Sequence, residues 1–232
     1  MKRRNIVIAT LKSWNLENAR KFKKRIGSKY RVFVFKEKDK LNFSALKRVN
    51  PEYVFLPHWS WMVPENIFRN FKCVVFHMTD LPFGRGGSPL QNLILRGIGK
   101  TKISAILVVK DADAGPVFMK NDLTLSGSAE QIYKRASSII FNNMIPFIIK
   151  NKPGVVMQKG EIVRFRRRTV GQSRIPLDIS LKKAYDFIRM LDAEGYPRAF
   201  IETKGLRLEF DKAVYSPERI KARVFITRKD IA

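Results

Sequence analysis

Short β-branched runs alternate with amphipathic stretches through roughly the first half of the chain, and this alternation constrains the fold more than any other feature. Residues 5–10 are a compact apolar run. Residues 14–26 follow with Leu16, Ala19, Phe22 and Ile26 at helical spacing and with basic residues on the other face. Gly27 then supplies a stop. Residues 31–35, 53–56 and 73–77 are predicted strands, and 43–49 a short helix. Another helix is predicted from Ser88-Pro89 to near Gly97, with Ser as cap and Pro in the first turn. Such a pattern predicts an α/β fold: a Rossmann-like, mainly parallel, doubly wound sheet with helices on both faces.

Residues 102–109 and 116–125 read as two more strands, joined by the polar loop 110–115. A long helix is predicted from Ser128, with Glu130 in its first turn and a kink at Pro146. The texture changes at Asn151. We therefore expect a catalytic domain over 1–150, and over 151–232 a linker, a helix at 181–191 and a small C-terminal α+β extension. Its antiparallel strands are expected at 199–210 and 220–227, with turns at Lys204-Gly205 and Ser216-Pro217.

Composition removes several classes. The 232 residues can bury a core without disulfides. One cysteine, Cys73, and two histidines leave no disulfide framework and no ordinary structural zinc site, and no metal is expected. No apolar run approaches the roughly 18 residues of a membrane span. The N-terminal apolar run is too short for a signal-peptide core, so a soluble, cytoplasmic protein is expected. The formal charge of +26 attracts polyanions without saying which.

In doubly wound sheets, ligands bind beyond the carboxyl ends of the strands. One strand here ends in Pro57-His58-Trp59-Ser60-Trp61. The next ends in His77-Met78-Thr79-Asp80-Leu81-Pro82-Phe83-Gly84-Arg85-Gly86-Gly87-Ser88-Pro89, and the later pair is joined through Asp113-Ala114-Gly115-Pro116. Together these segments resemble the folate-dependent formyltransferase family. His77, Thr79 and Leu81-Pro82 match its first block, Arg85-Gly86 with Pro89 its second, and Asp113 with Gly115 its third. Further likeness runs through Arg166-Arg167-Arg168 and on to Phe200.

The resemblance implies formyl transfer from 10-formyltetrahydrofolate, as co-substrate, to an amine. His77 would stabilise the oxyanion or move protons, and Asp113 would orient His77 and a water. Donor-binding candidates are Trp59, Ser60, Trp61 and Met62, then Leu81, Pro82, Phe83 and Arg85, then Val108, Val109 and Lys110. Acceptor-binding candidates are Thr10, Ser13 and Asn15, then Gly86, Gly87, Ser88 and Asn92. Plainer readings stand beside these: Asp113 as a turn residue, Ser13 as a helix cap, and the tryptophans as core. One position departs from the pattern. Val75 stands two residues before His77, where the family has an asparagine whose amide meets the formyl oxygen. His58, as a third catalytic candidate, or Asn92 or Gln91 would have to supply the missing donor.

The expected acceptor is a nucleotide-linked amino sugar, of 4-amino-4,6-dideoxy type, as in the sugar N-formyltransferases of pseudaminic-acid-type pathways. About 35 residues follow Pro197, too few for a five-stranded barrel that would hold tRNA. This reading has no nucleic-acid partner and leaves homo-oligomerisation open. The alternatives are methionyl-tRNA formyltransferase, with tRNA as partner, and a non-enzymatic RNA-binding relative.

Overall fold

The structure is a computed structural model that describes residues 3–229. Its contacts divide into two compact units. The first holds the chain up to Gly86 together with Thr101–Leu123 and Lys134–Arg164. The second holds Gly87–Lys100, Thr124–Tyr133 and the chain from Phe165 onward.

The first unit is built on β1 (Arg4–Ala9), β2 (Tyr30–Phe35), β3 (Tyr53–Leu56), β4 (Cys73–His77), β6 (Lys100–Leu107) and β7 (Val117–Thr124), in the order β2-β1-β3-β4-β6-β7. The pairs β1–β2, β1–β3 and β3–β4 are parallel. Between β4 and β6 the pairing is antiparallel, with Val74 opposite Leu107 and His77 opposite Ser104. The sheet is thus the mainly parallel, Rossmann-like one expected. α1 (Ser13–Arg25) connects β1 to β2, and α2 (Phe43–Val49) connects β2 to β3 on the other side of β1. Right-handed crossovers then place these helices on opposite faces. Accordingly Ile6, Val7, Ile8 and Ala9 are all buried, as a strand covered on both faces requires. One face packs Val7, Ala9, Val54 and Leu56 against Leu46 of α2 and Ile67 of the short α3 (Glu65–Phe68).

The predicted long helix is interrupted. It runs as α5 (Ala129–Ile139), a π-helical segment Ile140–Met144, and α6 (Ile145–Asn151). Pro146 sits in the first turn of α6, where a missing N–H costs least, and the wider π turn precedes it. The pattern did not announce β5 (Phe83–Gly86) and β8 (Val163–Phe165), which form a separate two-stranded sheet.

The second unit contains α4 (Pro89–Leu95), α7 (Leu181–Arg189) and a three-stranded antiparallel sheet. Its strands β9 (Ala199–Glu202), β10 (Leu206–Ser216) and β11 (Arg219–Arg228) lie in the order β11-β10-β9. Buried Asp211 of β10 accepts hydrogen bonds from Arg198 at 3.0 Å and from Arg223 of β11 at 2.8 Å. β11 is an edge strand and carries Arg219, Lys221, Arg223 and Arg228. Ser88 does not cap α4 with its side chain: its φ is +51°, and its Oγ accepts the Arg168 N–H at 3.0 Å.

Candidate active site

His77 ends β4, and its ring lies between two acceptors. Nε2 is 2.8 Å from the Gly84 carbonyl oxygen, and Nδ1 is 3.3 Å from Asp113 Oδ1. A carbonyl can only accept, so the Gly84 contact requires the proton on Nε2. The second carboxylate oxygen of Asp113 accepts the Gly86 N–H at 2.9 Å. Burial raises the Asp113 pKa, but its hydrogen bond with His77, the charge there, the Gly86 N–H and nearby Arg85 outweigh burial and hold it below the ordinary value. The result is an oriented carboxylate beside an imidazole.

The backbone bends to achieve this. Asp113 has φ +55°, a left-handed conformation that aspartate tolerates better than most residues. Two residues on, a Cβ on Gly115 would sit 1.7 Å from the Leu107 carbonyl oxygen, so only glycine lets the loop close against the end of β6.

Behind the pair lies a residue that the sequence did not single out. Gln158 Oε1 accepts from Arg85 Nε and Nη2 at 3.0 and 2.7 Å. Its Nε2 donates to the carbonyls of Asp113 and Gly115 at 2.9 and 2.7 Å. One side chain thus joins the Arg85 guanidinium to the loop that carries Asp113. Ser104 was also overlooked. Its Oγ donates to the Thr79 carbonyl at 2.7 Å, and buried Thr79 donates in turn to Gly84 O at 3.4 Å. Motif spacing carries no trace of either role, because both depend on backbone carbonyls distant in sequence.

The other candidates are scattered. Leu81 and Pro82 are buried and Phe83 is half-buried. Val108 and Val109 are partly exposed and Lys110 exposed. Trp59, Val75 and Val108 pack against the same apolar cluster beneath the sheet. Trp61 meets Trp59 edge to face at 5.0 Å, while Ser60 and Met62 are exposed. His58 packs edge-on against Trp14 of α1, with ring centroids 5.8 Å apart. Burial and the charge of Lys12 push its pKa down to about 4. At neutral pH it is therefore uncharged, which leaves only the tautomeric form of the donor role suggested for it. Thr10 Oγ1 and Asn15 Nδ2 both donate to the Pro57 carbonyl, at 2.7 and 3.4 Å, fastening the turn after β1 to the end of β3. Ser13 is exposed and opens α1.

Gly87, Ser88, Gln91 and Asn92 belong to the second unit. A Cβ on Gly87 would lie 2.5 Å from that of Arg167. Gln91 Nε2 donates to Met190 O at 3.0 Å. Asn92 Nδ2 faces the carbonyls of Gly87, Ser88 and Arg166 at 3.1, 3.0 and 3.1 Å.

Among known proteins, the solved structure of a methionyl-tRNA formyltransferase from Clostridium thermocellum is 57% identical, with TM-score 0.96, and the match covers 97% of this chain and 100% of that one. The sheet, the His77–Asp113 pair and this likeness define the class: the chain belongs to the formyltransferase family. Within the family, residues 170–227 match the model described as the methionyl-tRNA formyltransferase C-terminal domain. The curated methionyl-tRNA formyltransferase of Thermodesulfovibrio yellowstonii is 24% identical over 66% of this chain, which spans only 52% of that protein. A 4-N formyltransferase from Francisella tularensis shares the fold, with TM-score 0.67 and 16% identity.

These findings correct the expected acceptor. The sugar reading rested on chain length, and a protein bearing the methionyl-tRNA formyltransferase name is matched over its whole length by this one. The short C-terminal sheet, judged too small for tRNA work, lies, but for Arg228, within the segment matched by the tRNA enzyme's C-terminal domain model. A nucleotide-sugar partner with no nucleic acid is therefore withdrawn, and the amino-sugar and pseudaminic-acid associations go with it. No helix among the described residues is long and apolar enough to cross a membrane.

Proposed function

We propose that this chain transfers a formyl group from 10-formyltetrahydrofolate to the amine of methionyl-tRNA. The observation that carries the reading is the 57% identity, over essentially the whole of both chains, to the Clostridium thermocellum methionyl-tRNA formyltransferase. A cytoplasmic location goes with that acceptor. For the donor there is a fold-level parallel: a structure of HypX from Aquifex aeolicus in complex with tetrahydrofolic acid matches 91% of this chain with TM-score 0.74 at 14% identity.

The residues present fit a folate. Trp59 Nε1 is a buried donor with no hydrogen-bond partner among the described residues, and Trp59 packs with Val75 and Val108 on one apolar cluster. A flat heteroaromatic ring with polar edges would meet both needs. Trp59, Val108 and the segment 81–85 are the proposed holders. When bound, the donor supplies the activated formyl group. His77 holds a proton at Nε2, next to Gly84 O, which leaves Nδ1, 3.3 Å from Asp113 Oδ1, as the nitrogen that can accept a further proton. An incoming amine must be uncharged to attack, and the pair can take up the proton it sheds. The Asp113 carboxylate, kept ionised, balances the imidazolium that results.

The test is to incubate the purified protein with 10-formyltetrahydrofolate and methionyl-tRNA. Formylmethionyl-tRNA should accumulate catalytically, and a His77→Ala variant should lose at least about 100-fold in turnover. No product at any enzyme concentration would overturn the proposal.

A further inference from the structure

The catalytic pair does not account for the charge of +26, nor for where much of it lies. β1 to β4 are parallel, so their starts share one end of the sheet. α1 and α2 each carry the chain back to that end. The last turn of α1 brings Lys23, Lys24 and Arg25 there, and the last turn of α2 brings Lys47 and Arg48. Lys29 and Arg31 flank the first residue of β2. All seven are exposed. A cation or two at a helix C-terminus needs no explanation beyond the helix dipole. Lys29 and Arg31 are on no α-helix, and the only carboxylate in residues 23–31 and 47–52 is Glu52. Glu52 is itself met by Arg4 at 3.6 Å and by Lys152.

We propose that this end of the sheet is an RNA-binding face, separate from the catalytic pair and shaped for the phosphate backbone of a duplex. β2 lies three strands from β4, at about 4.8 Å per strand. His77 closes β4 at the opposite end, so the face and the ring lie at different ends of the sheet. Double-stranded RNA is bound largely through its shape and its phosphates, which ask for spread cations rather than a pocket. A lipid surface would ask for exposed tryptophan, phenylalanine or leucine among the cations, and a protein partner for an aromatic or apolar anchor. The last turns of α1 and α2 and residues 27–31 hold none of the exposed large apolar side chains. The inference does not depend on the formyl-transfer reading.

The probe is a 20-base-pair RNA duplex without an aminoacyl end, added to the full chain and followed by fluorescence anisotropy as salt rises from about 50 to 200 mM. Lys24→Gln, Lys29→Gln, Arg31→Gln and Arg48→Gln are combined in one variant. Its affinity at the low-salt end should fall at least tenfold. The log–log salt slope should lose about 2 to 4 in magnitude, close to one per phosphate contact removed. Formylation of methionyl-tRNA by the variant, at saturating substrate, should stay within threefold of the parent. Lys24→Glu with Lys29→Glu, read the same way, serves if the quadruple variant fails to fold. An unchanged slope and affinity would overturn the proposal. So would parent binding to phosphatidylserine vesicles that equals its binding to the duplex. Because binding is read without donor or turnover, its failure is distinct from a failure of the proposed activity.

Discussion

Replacing Gln158 separates what holds the Asp113 loop from what performs proton transfer. In Gln158→Ala the Arg85 guanidinium, 9% exposed, loses acceptor contacts at 3.0 and 2.7 Å. Hydrogen bonds to a charged group contribute about 1.5–3 kcal/mol. The carbonyls of Asp113 and Gly115 each lose a neutral donor, about 1 kcal/mol apiece. Water entering the vacated space returns part of this, so a loss of about 3–4 kcal/mol is expected. That is within the roughly 5–15 kcal/mol that keeps a domain folded. Turnover should suffer more, since a displacement of about 1 Å in a catalytic group can cost about 100-fold. Gln158→Glu divides the two effects. Its carboxylate can still accept from Arg85 but cannot donate to the two carbonyls. Stability should return toward the parent while kcat stays depressed. Denaturant unfolding and initial rates of methionyl-tRNA formylation give both readings. A Gln158→Ala protein with kcat within threefold of the parent would show that the loop needs no such tie.

The Asp113 carboxyl titrates below its ordinary range, so its contribution to stability is complete above that range and lost as pH falls through the lowered value. Asp113→Asn should therefore flatten the acid limb of the stability profile and reduce turnover at least about 100-fold, as read by acid titration and rate assays. His58 adds a slope of the same sign from a different cause, burial disfavouring its charged form: its folded-state pKa of about 4, against an ordinary 6.5, makes stability rise with pH between those values. The gap is worth about 3 kcal/mol, and His58→Phe should abolish that slope in urea titrations at pH 4.5 and 7; a slope that persists would reject the assignment to His58. Gly115→Ala puts a methyl 1.7 Å from Leu107 O, so calorimetry should show a lower Tm and rate assays a severe loss of turnover. Parent-like values for both would mean the loop can move aside.

Secondary structure was legible where periodicity carried it. Phe43–Val49, Tyr53–Leu56 and Cys73–His77 fall where apolar spacing put them. β5 and β8 left no signal, because Phe83–Gly86 reads as a glycine-rich loop and acquires strand character only through a partner some eighty residues away. The π segment was hidden for another reason: Pro146 marks a break without specifying the wider turn ahead of it. At the site, the resemblance to the formyltransferases pointed to His77 and Asp113, which the fold brings within 3.3 Å. Gln158 could not be found that way, since its amide reads carbonyls that any sequence would offer. The acceptor was misjudged by counting residues after Pro197. That count assumed a full barrel, whereas β9, β10 and β11 make an open three-stranded sheet.

An open sheet leaves strand edges, and β11 is a ten-residue edge whose backbone could pair with another chain. Val224 and Ile226 are 41% and 63% exposed on it, which would favour such pairing. Arg219, Lys221 and Arg228 space positive charge along the same strand, while Arg223 is held by Asp211. Two copies approaching edge to edge would align these cations against each other, and like charges facing across a ladder are destabilising. The guanidinium and ammonium groups of β11 thus oppose such pairing. That protection is electrostatic and weakens as salt shortens the Debye length to about 3 Å at 1 M. Concentrated, high-salt solutions are accordingly the condition in which two copies of this protein should begin to pair through β11.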